Sequence, residues 1–314
     1  VCNTGSGNTV TGSQAGTGTP GGSSYTRCSL FGAFAGEAHT TGLRNTCIGY
    51  EAGRYVDSGA DNVYIGSDSG KSTDPTVKSG ASQNNCIGNN TLTKVTTGYA
   101  NCVFGYNTAS NLTTGHQNAI YGNESAPNLV SGQYNCLFGK EAGKSLTTGS
   151  NNCFIGYQAG FSALTTGGCV AIGYLAGRST NTTSVVAVGY LAGTASTGAS
   201  GTFVGYLAGG ACTSATQNTL IGREAGKTAT TSASLTFVGA LNDCASTGVS
   251  NSIAVGVSNV VNHSNCIVLG SSITTAAANA VHIGSATLPL TTGTSSPSAG
   301  AAGALPATPA GYLT

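Results

Sequence analysis

The chain has 314 residues, a formal net charge of +1 and only 7% charged residues, against about 25% in an ordinary soluble domain. So few acids and bases argue against a conventional enzyme, and the absence of a basic stripe argues against a nucleic-acid partner. No apolar run is long enough for a membrane-spanning helix, and no secretory leader pattern is present, so the chain, which opens on Val1 and contains no Met, reads as a mature or excised segment.

Residues 1–27 are rich in Gly, Ser and Thr and read as a lead-in coil or linker. From residue 28 to 286 a short apolar run followed by Gly recurs. The repeat glycines are Gly32, Gly49, Gly66, Gly88, Gly105, Gly122, Gly139, Gly156, Gly173, Gly189, Gly205, Gly222, Gly239, Gly256, Gly270 and Gly284. Most steps are 17 residues, with one of 22, two of 16 and two of 14. Helical hairpin repeats need about 34 residues and propeller blades about 40, so this period fits one lap of a parallel β-solenoid. Runs such as Cys136-Leu137-Phe138 and Val170-Ala171-Ile172 are β-formers, and Gly and Asn supply the turns. The prediction is an all-β solenoid of about sixteen rungs, stacked at about 4.8 Å per rung into a rod roughly 70 Å long.

Asn stands four residues before the repeat glycine at Asn45, Asn62, Asn84, Asn101, Asn118, Asn135, Asn152 and Asn218. One turn position repeated in this way predicts a ladder of side-chain hydrogen bonds along the rod. Tyr follows the repeat glycine at Tyr50, Tyr106, Tyr157, Tyr174, Tyr190 and Tyr206, which predicts an aromatic column. Structural packing is its principal expected role, with a sugar-binding platform as the alternative. Several strands are apolar on both faces, as in Phe154 and Ile155. Strands covered on both sides lose the alternating pattern, so one face should line the coil and the other should meet another copy in a parallel homotrimer.

The units Cys169-Val170-Ala171-Ile172-Gly173 and Asn251-Ser252-Ile253-Ala254-Val255-Gly256 resemble the head repeat of YadA-like trimeric autotransporter adhesins. The Asn-x-x-Ile-Gly-Tyr-x-Ala-Gly units with Thr-Thr-Gly turns are similar to repeat stalks of phage and large-virus fibres. The resemblance covers about residues 28–286. It implies a left-handed trimeric β-roll with an attachment or structural role at a virion surface or outside the cell. Its implied partners are fibre or virion proteins at the ends and a cell-surface glycan or receptor. The unit of 17 residues and the cysteines depart from the adhesin head. A cell-surface adhesin or extracellular filament is the second reading. Ice binding and polysaccharide degradation rank lower.

Residues 287–314 carry Pro289, Pro297, Pro306 and Pro309 among Ala and Gly and read as an extended arm or linker. No charged residue occurs after Cys244, a stretch that should be covered by sister chains, a partner or sugars. Sequons lie at Asn89, Asn111, Asn123, Asn181 and Asn262.

No catalytic, cofactor-binding or metal site is expected. The eleven cysteines sit mainly at strand positions without a Cys-x-x-Cys spacing, which favours free core thiols over zinc. Cys136 and Cys153, at one position on adjacent rungs, are the disulfide pair to test. Gly66 to Ser72, Gly139 to Ser145 and Gly222 to Thr228 mimic a phosphate loop but are one residue short between the glycines. Asp57, Asp61, Asp68 and Asp74 are expected in solvated loops, and His39, His116, His263 and His282 at the surface. The structural repeat positions singled out are Gly49, Gly105, Gly139, Gly156, Gly173 and Gly222, with Asn45, Asn135, Asn152 and Asn218.

Overall fold

A computed structural model describes residues 5–18, 22–72, 79–198, 200–214, 216–245, 247–284 and 286–289. Among these residues there is no helix. Each lap contributes one short strand. The first nine are β1 (Thr9–Thr11), β2 (Ser29–Phe31), β3 (Thr46–Ile48), β4 (Val63–Ile65), β5 (Asn85–Ile87), β6 (Cys102–Phe104), β7 (Ala119–Tyr121), β8 (Cys136–Phe138) and β9 (Cys153–Ile155). They are followed by β10 (Val170–Ile172), β11 (Val186–Val188), β12 (Thr202–Val204), β13 (Thr219–Ile221) and β14 (Ala233–Val238). The last are β15 (Ser250–Val257), β16 (Ile267–Ser271), β17 (Ala280–Ile283) and β18 (Ala286–Pro289).

From β1 to β17 each strand pairs in parallel with the next one in the chain. The result is a parallel β-solenoid of about 15 turns. The stack already includes Thr9–Thr11, inside the stretch expected as a lead-in, and Gly12 has the same backbone conformation as the repeat glycines. At the other end β18 pairs with β17 antiparallel, which ends the parallel ladder. Only residues up to Pro289 of the Pro/Ala-rich arm are described, so Pro297, Pro306 and Pro309 lie outside the described residues.

The repeat glycine is required twice over. At Gly156, φ is +134°, and a Cβ would stand 2.3 Å from the carbonyl oxygen of Gly173 one lap on. Neither the backbone angle nor the contact admits a side chain. The second glycine of the unit is required where its neighbour is large: a Cβ on Gly160 would meet the Phe154 ring at 2.5 Å. In the laps of Val103 and Ile120 the same corner is taken by Ala109 and Ala126, both in the left-handed region.

The core is a set of columns. The middle residue of each strand points inward: Leu30, Cys47, Tyr64, Cys86, Val103, Ile120, Leu137 and Phe154 are fully buried in succession. A second column, seven residues after the repeat glycine, includes Val56, Val95, Leu112, Leu129 and Leu146. A third, three residues after it, is mostly Ala, from Ala35 to Ala225. Stacking identical positions lets each lap bury its apolar side chains only against its neighbours, as in other solenoids.

Candidate functional site

Two residues of each three-residue strand point out of the coil, so the strand face is the surface that the fold displays most regularly. The residue before the repeat glycine forms an exposed apolar column running from Phe31 through Ile155 to Ile283, with individual exposures of 36–48% at the more open positions. Within it Phe104, Tyr121 and Phe138 stack at 4.7 and 4.4 Å, nearly parallel. Beside it stands the expected tyrosine column. Tyr157, Tyr174, Tyr190 and Tyr206 stack at centroid separations of 5.3, 5.1 and 5.3 Å, with planes within 14° of parallel. Their flat faces are turned toward one another, which leaves ring edges and hydroxyls for solvent. A sugar platform needs an open ring face, so this geometry favours the packing role. Tyr50 meets Phe34 edge-on instead. A third group, Tyr99 stacked on His116 at 4.6 Å and His116 edge-on to Tyr134, was not legible as a column, because it mixes residue types and Tyr134 stands one residue nearer its repeat glycine than the other two.

Under the strand face lies the asparagine ladder. It runs without a break through Asn45, Asn62, Asn84, Asn101, Asn118, Asn135 and Asn152. In a typical link, Asn135 Oδ1 accepts the backbone N–H and the side-chain amide of Asn152 at 3.1 and 3.0 Å. The Asn152 amide also donates to the Thr166 carbonyl at 3.0 Å. Every member is buried, so each bond satisfies a group that would otherwise lack water. Asn218 keeps the position but stands alone: its amide donates to Ser232 and its oxygen accepts from Leu235 N–H.

Cysteine substitutes at this position. Cys28, Cys169 and Cys266 each stand where Asn is expected. Cys28 Sγ accepts the Asn45 N–H at 3.5 Å and donates to the Gly42 carbonyl. Cys169 donates to the Thr182 carbonyl at 3.1 Å, and Cys266 to that of Ala277 at 3.3 Å. The ten described cysteines are free thiols. Burial pushes the inward Cys47 and Cys86 thiols far up, and those of Cys212 and Cys244 up to about 12. These are inert core groups. Cys136 and Cys153 are aligned in register on β8 and β9, half-buried on the outward face and unbonded to each other. Burial and then the neighbouring thiol raise Cys136.

The polar residues are engaged with each other. Arg54 pairs with Glu37 at 2.5 Å and Glu51 at 2.6 Å, and Lys71 pairs with Glu51 and Asp68. Lys144 bridges Glu124 and Glu141, both at 2.7 Å, and Lys227 meets Glu224. The lysines of the three phosphate-loop mimics are therefore tied to carboxylates, and their glycines are the repeat glycines. Asp61 pairs with Arg44, but Asp57, expected in a solvated loop, is buried against the preceding lap, where it accepts from the Thr40 hydroxyl. Asp74 lies outside the described residues. No group of three or more His, Cys, Asp or Glu side chains able to hold a metal occurs among the described residues.

Two histidine expectations fail. His39 and His282 are buried. His39 takes a core position seven residues after Gly32, where later laps carry Val56, Val95 and Leu112, and packs edge-on to Tyr25. Burial pushes it down to about 4 against the opposing pull of Asp57, so it is neutral near pH 7.

No helix among the described residues is long and apolar enough to cross a membrane. Compared with known protein families, curated proteins and solved structures, the chain matches none.

Proposed function

We propose that the chain is a rod segment of a homotrimeric structural fibre, used for attachment or receptor display at a virion or cell surface, and that it performs no catalysis. The carrying observation is the exposed apolar column on the strand face, which extends from Phe31 to Ile283. The strand face is about 10 Å wide and roughly 70 Å long, and the apolar column takes about half of it, about 350 Å², the other outward position being polar at Ser29, Thr46, Asn85, Thr202, Thr219 and Thr236. Soluble monomers rarely leave a contiguous apolar patch above a few hundred Å² exposed. A sister copy has the same column at the same 4.8 Å period, so two such faces align rung against rung, and a closed threefold arrangement covers all of them. The mechanism is mechanical. Stacked laps make a stiff spacer, and three copies multiply weak contacts at a target surface. The resemblance of the repeat to trimeric adhesin heads and viral fibre stalks is in keeping with this reading, with the virion fibre preferred to the adhesin.

The native mass tests it. A trimer has about 92 kDa, three times the 30.7 kDa chain. Light scattering at micromolar concentration should give that value, and negative-stain images should show short straight rods. A particle of one chain's mass overturns the trimer and the fibre with it.

A further inference from the structure

We propose that Cys136 and Cys153 form a two-coordinate site for a soft monovalent cation of the copper(I) class. The two residues are direct register partners on the parallel strands β8 and β9, at the strand position that points out of the coil. Neighbouring strands are about 4.8 Å apart, and in-register side chains run side by side at that spacing. Both thiols are free, and their in-register pairing holds them side by side on one face. Two thiolates on opposite sides of one cation, at metal–sulfur distances near the zinc-thiolate value of about 2.3 Å, stand about 4–5 Å apart, a separation that the rung spacing allows.

The surroundings select the same ligand. Ala119 precedes the pair in its column and Val170 follows it, so no oxygen or nitrogen ligand competes along that line. Phe138 and Ile155 flank the thiols on the strand face. With no third His, Cys, Asp or Glu grouped with them among the described residues, the site lacks the ligands that zinc or a hard divalent cation requires. Thiolates in an apolar setting suit copper(I). On binding, each thiol releases its proton to solvent, the cation keeps its oxidation state, and the site gains a net charge of −1. Cys102 is the internal contrast. It lies in the same column with Ala119 and Asn85 as its neighbours, so it has no adjacent thiol.

The test is anaerobic titration of the assembled protein with copper(I) against a colorimetric copper(I) chelator. The wild type should hold one equivalent per chain more than Cys136→Ala or Cys153→Ala, and Cys102→Ala should match the wild type. Ala119 already occupies this column, so alanine is compatible with the fold there. X-ray absorption should find two sulfur neighbours around the bound ion. Unchanged stoichiometry in both single variants, equal loss in Cys102→Ala, or a third ligand would overturn the proposal. The strand face is also the proposed contact between copies, so the mass of the titrated protein is measured alongside: a monomeric rod that binds copper(I) would refute the fibre reading alone, and a trimer without the extra equivalent would refute the copper site alone.

Discussion

The laps from β5 to β9 and those from β10 to β12 carry the same fold on different interiors. In the first set the inward strand residues are Cys86, Val103, Ile120, Leu137 and Phe154, backed by Leu112, Leu129 and Leu146 and by an unbroken asparagine ladder. In the second set the inward residues fall to Ala171 and Ala187 before Phe203 restores bulk. The backing positions become Thr180 and Ser196, and the ladder position passes to Cys169, Val185 and Gly201. The laps there shorten to 16 residues, as a thinner filling permits. Thr180 and Ser196 also bury hydroxyls that have no hydrogen-bond partner among the described residues. Along the same stretch four stacked tyrosines from Tyr157 to Tyr206 line the outside, whereas laps β6 to β8 carry the Phe104, Tyr121 and Phe138 stack there. The first region is packed inside and stacked outside, and the second, with its thinner interior, relies more on its surface. Backbone pairing is common to both and sets the shape, while the side chains decide where the stabilisation resides.

Three substitutions sharpen that contrast. The largest effect is expected for Asn118→Ala. It strips the Gly132 carbonyl and the Asn135 N–H of their partners, and orphaned buried groups cost about 1–3 kcal/mol each. A loss of roughly 3 kcal/mol in denaturant unfolding should follow, larger than for Val185→Ala at the equivalent position of the second region. Equal losses would mean that the ladder adds nothing beyond ordinary packing.

A smaller effect is expected for Tyr190→Ala. It removes two ring contacts, each contributing about 0.5–1.5 kcal/mol. The thermal midpoint should drop measurably. Tyr106→Ala should leave it nearly unchanged, since Tyr106 is exposed and stacks on no ring among the described residues. A similar drop for both would remove any special contribution from the column. The smallest effect is a gain. Thr180→Val keeps the shape and deletes an unpartnered buried hydroxyl, so stability should rise by about 1 kcal/mol. Destabilisation would show that the hydroxyl is hydrogen-bonded, for instance by an internal water.

The ladder from Asn45 to Asn152 and the column from Tyr157 to Tyr206 were legible because a residue type recurs at a fixed offset from a glycine, and stacking converts that offset into contact. The replacement of Asn by Cys28, Cys169 and Cys266 was visible as position but not as role. The thiol's ability to accept a backbone N–H and donate to a turn carbonyl emerges only when the turn is in place. A second short ladder escaped altogether. Asn259 donates to Asn242 Oδ1 at 2.9 Å, at the position that carries Ala in earlier laps. A pair is too brief to stand out as a repeat.

The sequence by itself determined the period, the strand positions, the need for glycine at each repeat corner and the asparagine and tyrosine columns. These follow from local geometry: a positive φ, a strand alternation of two and a constant lap length. The tertiary structure alone decided which thiols are sealed in the core and which face out, that His39 sits among apolar side chains, and that Thr9–Thr11 joins the parallel stack while Ala286–Pro289 pairs antiparallel. Those outcomes depend on the laps above and below, and a residue's neighbours about 17 positions away are fixed only once the coil has closed.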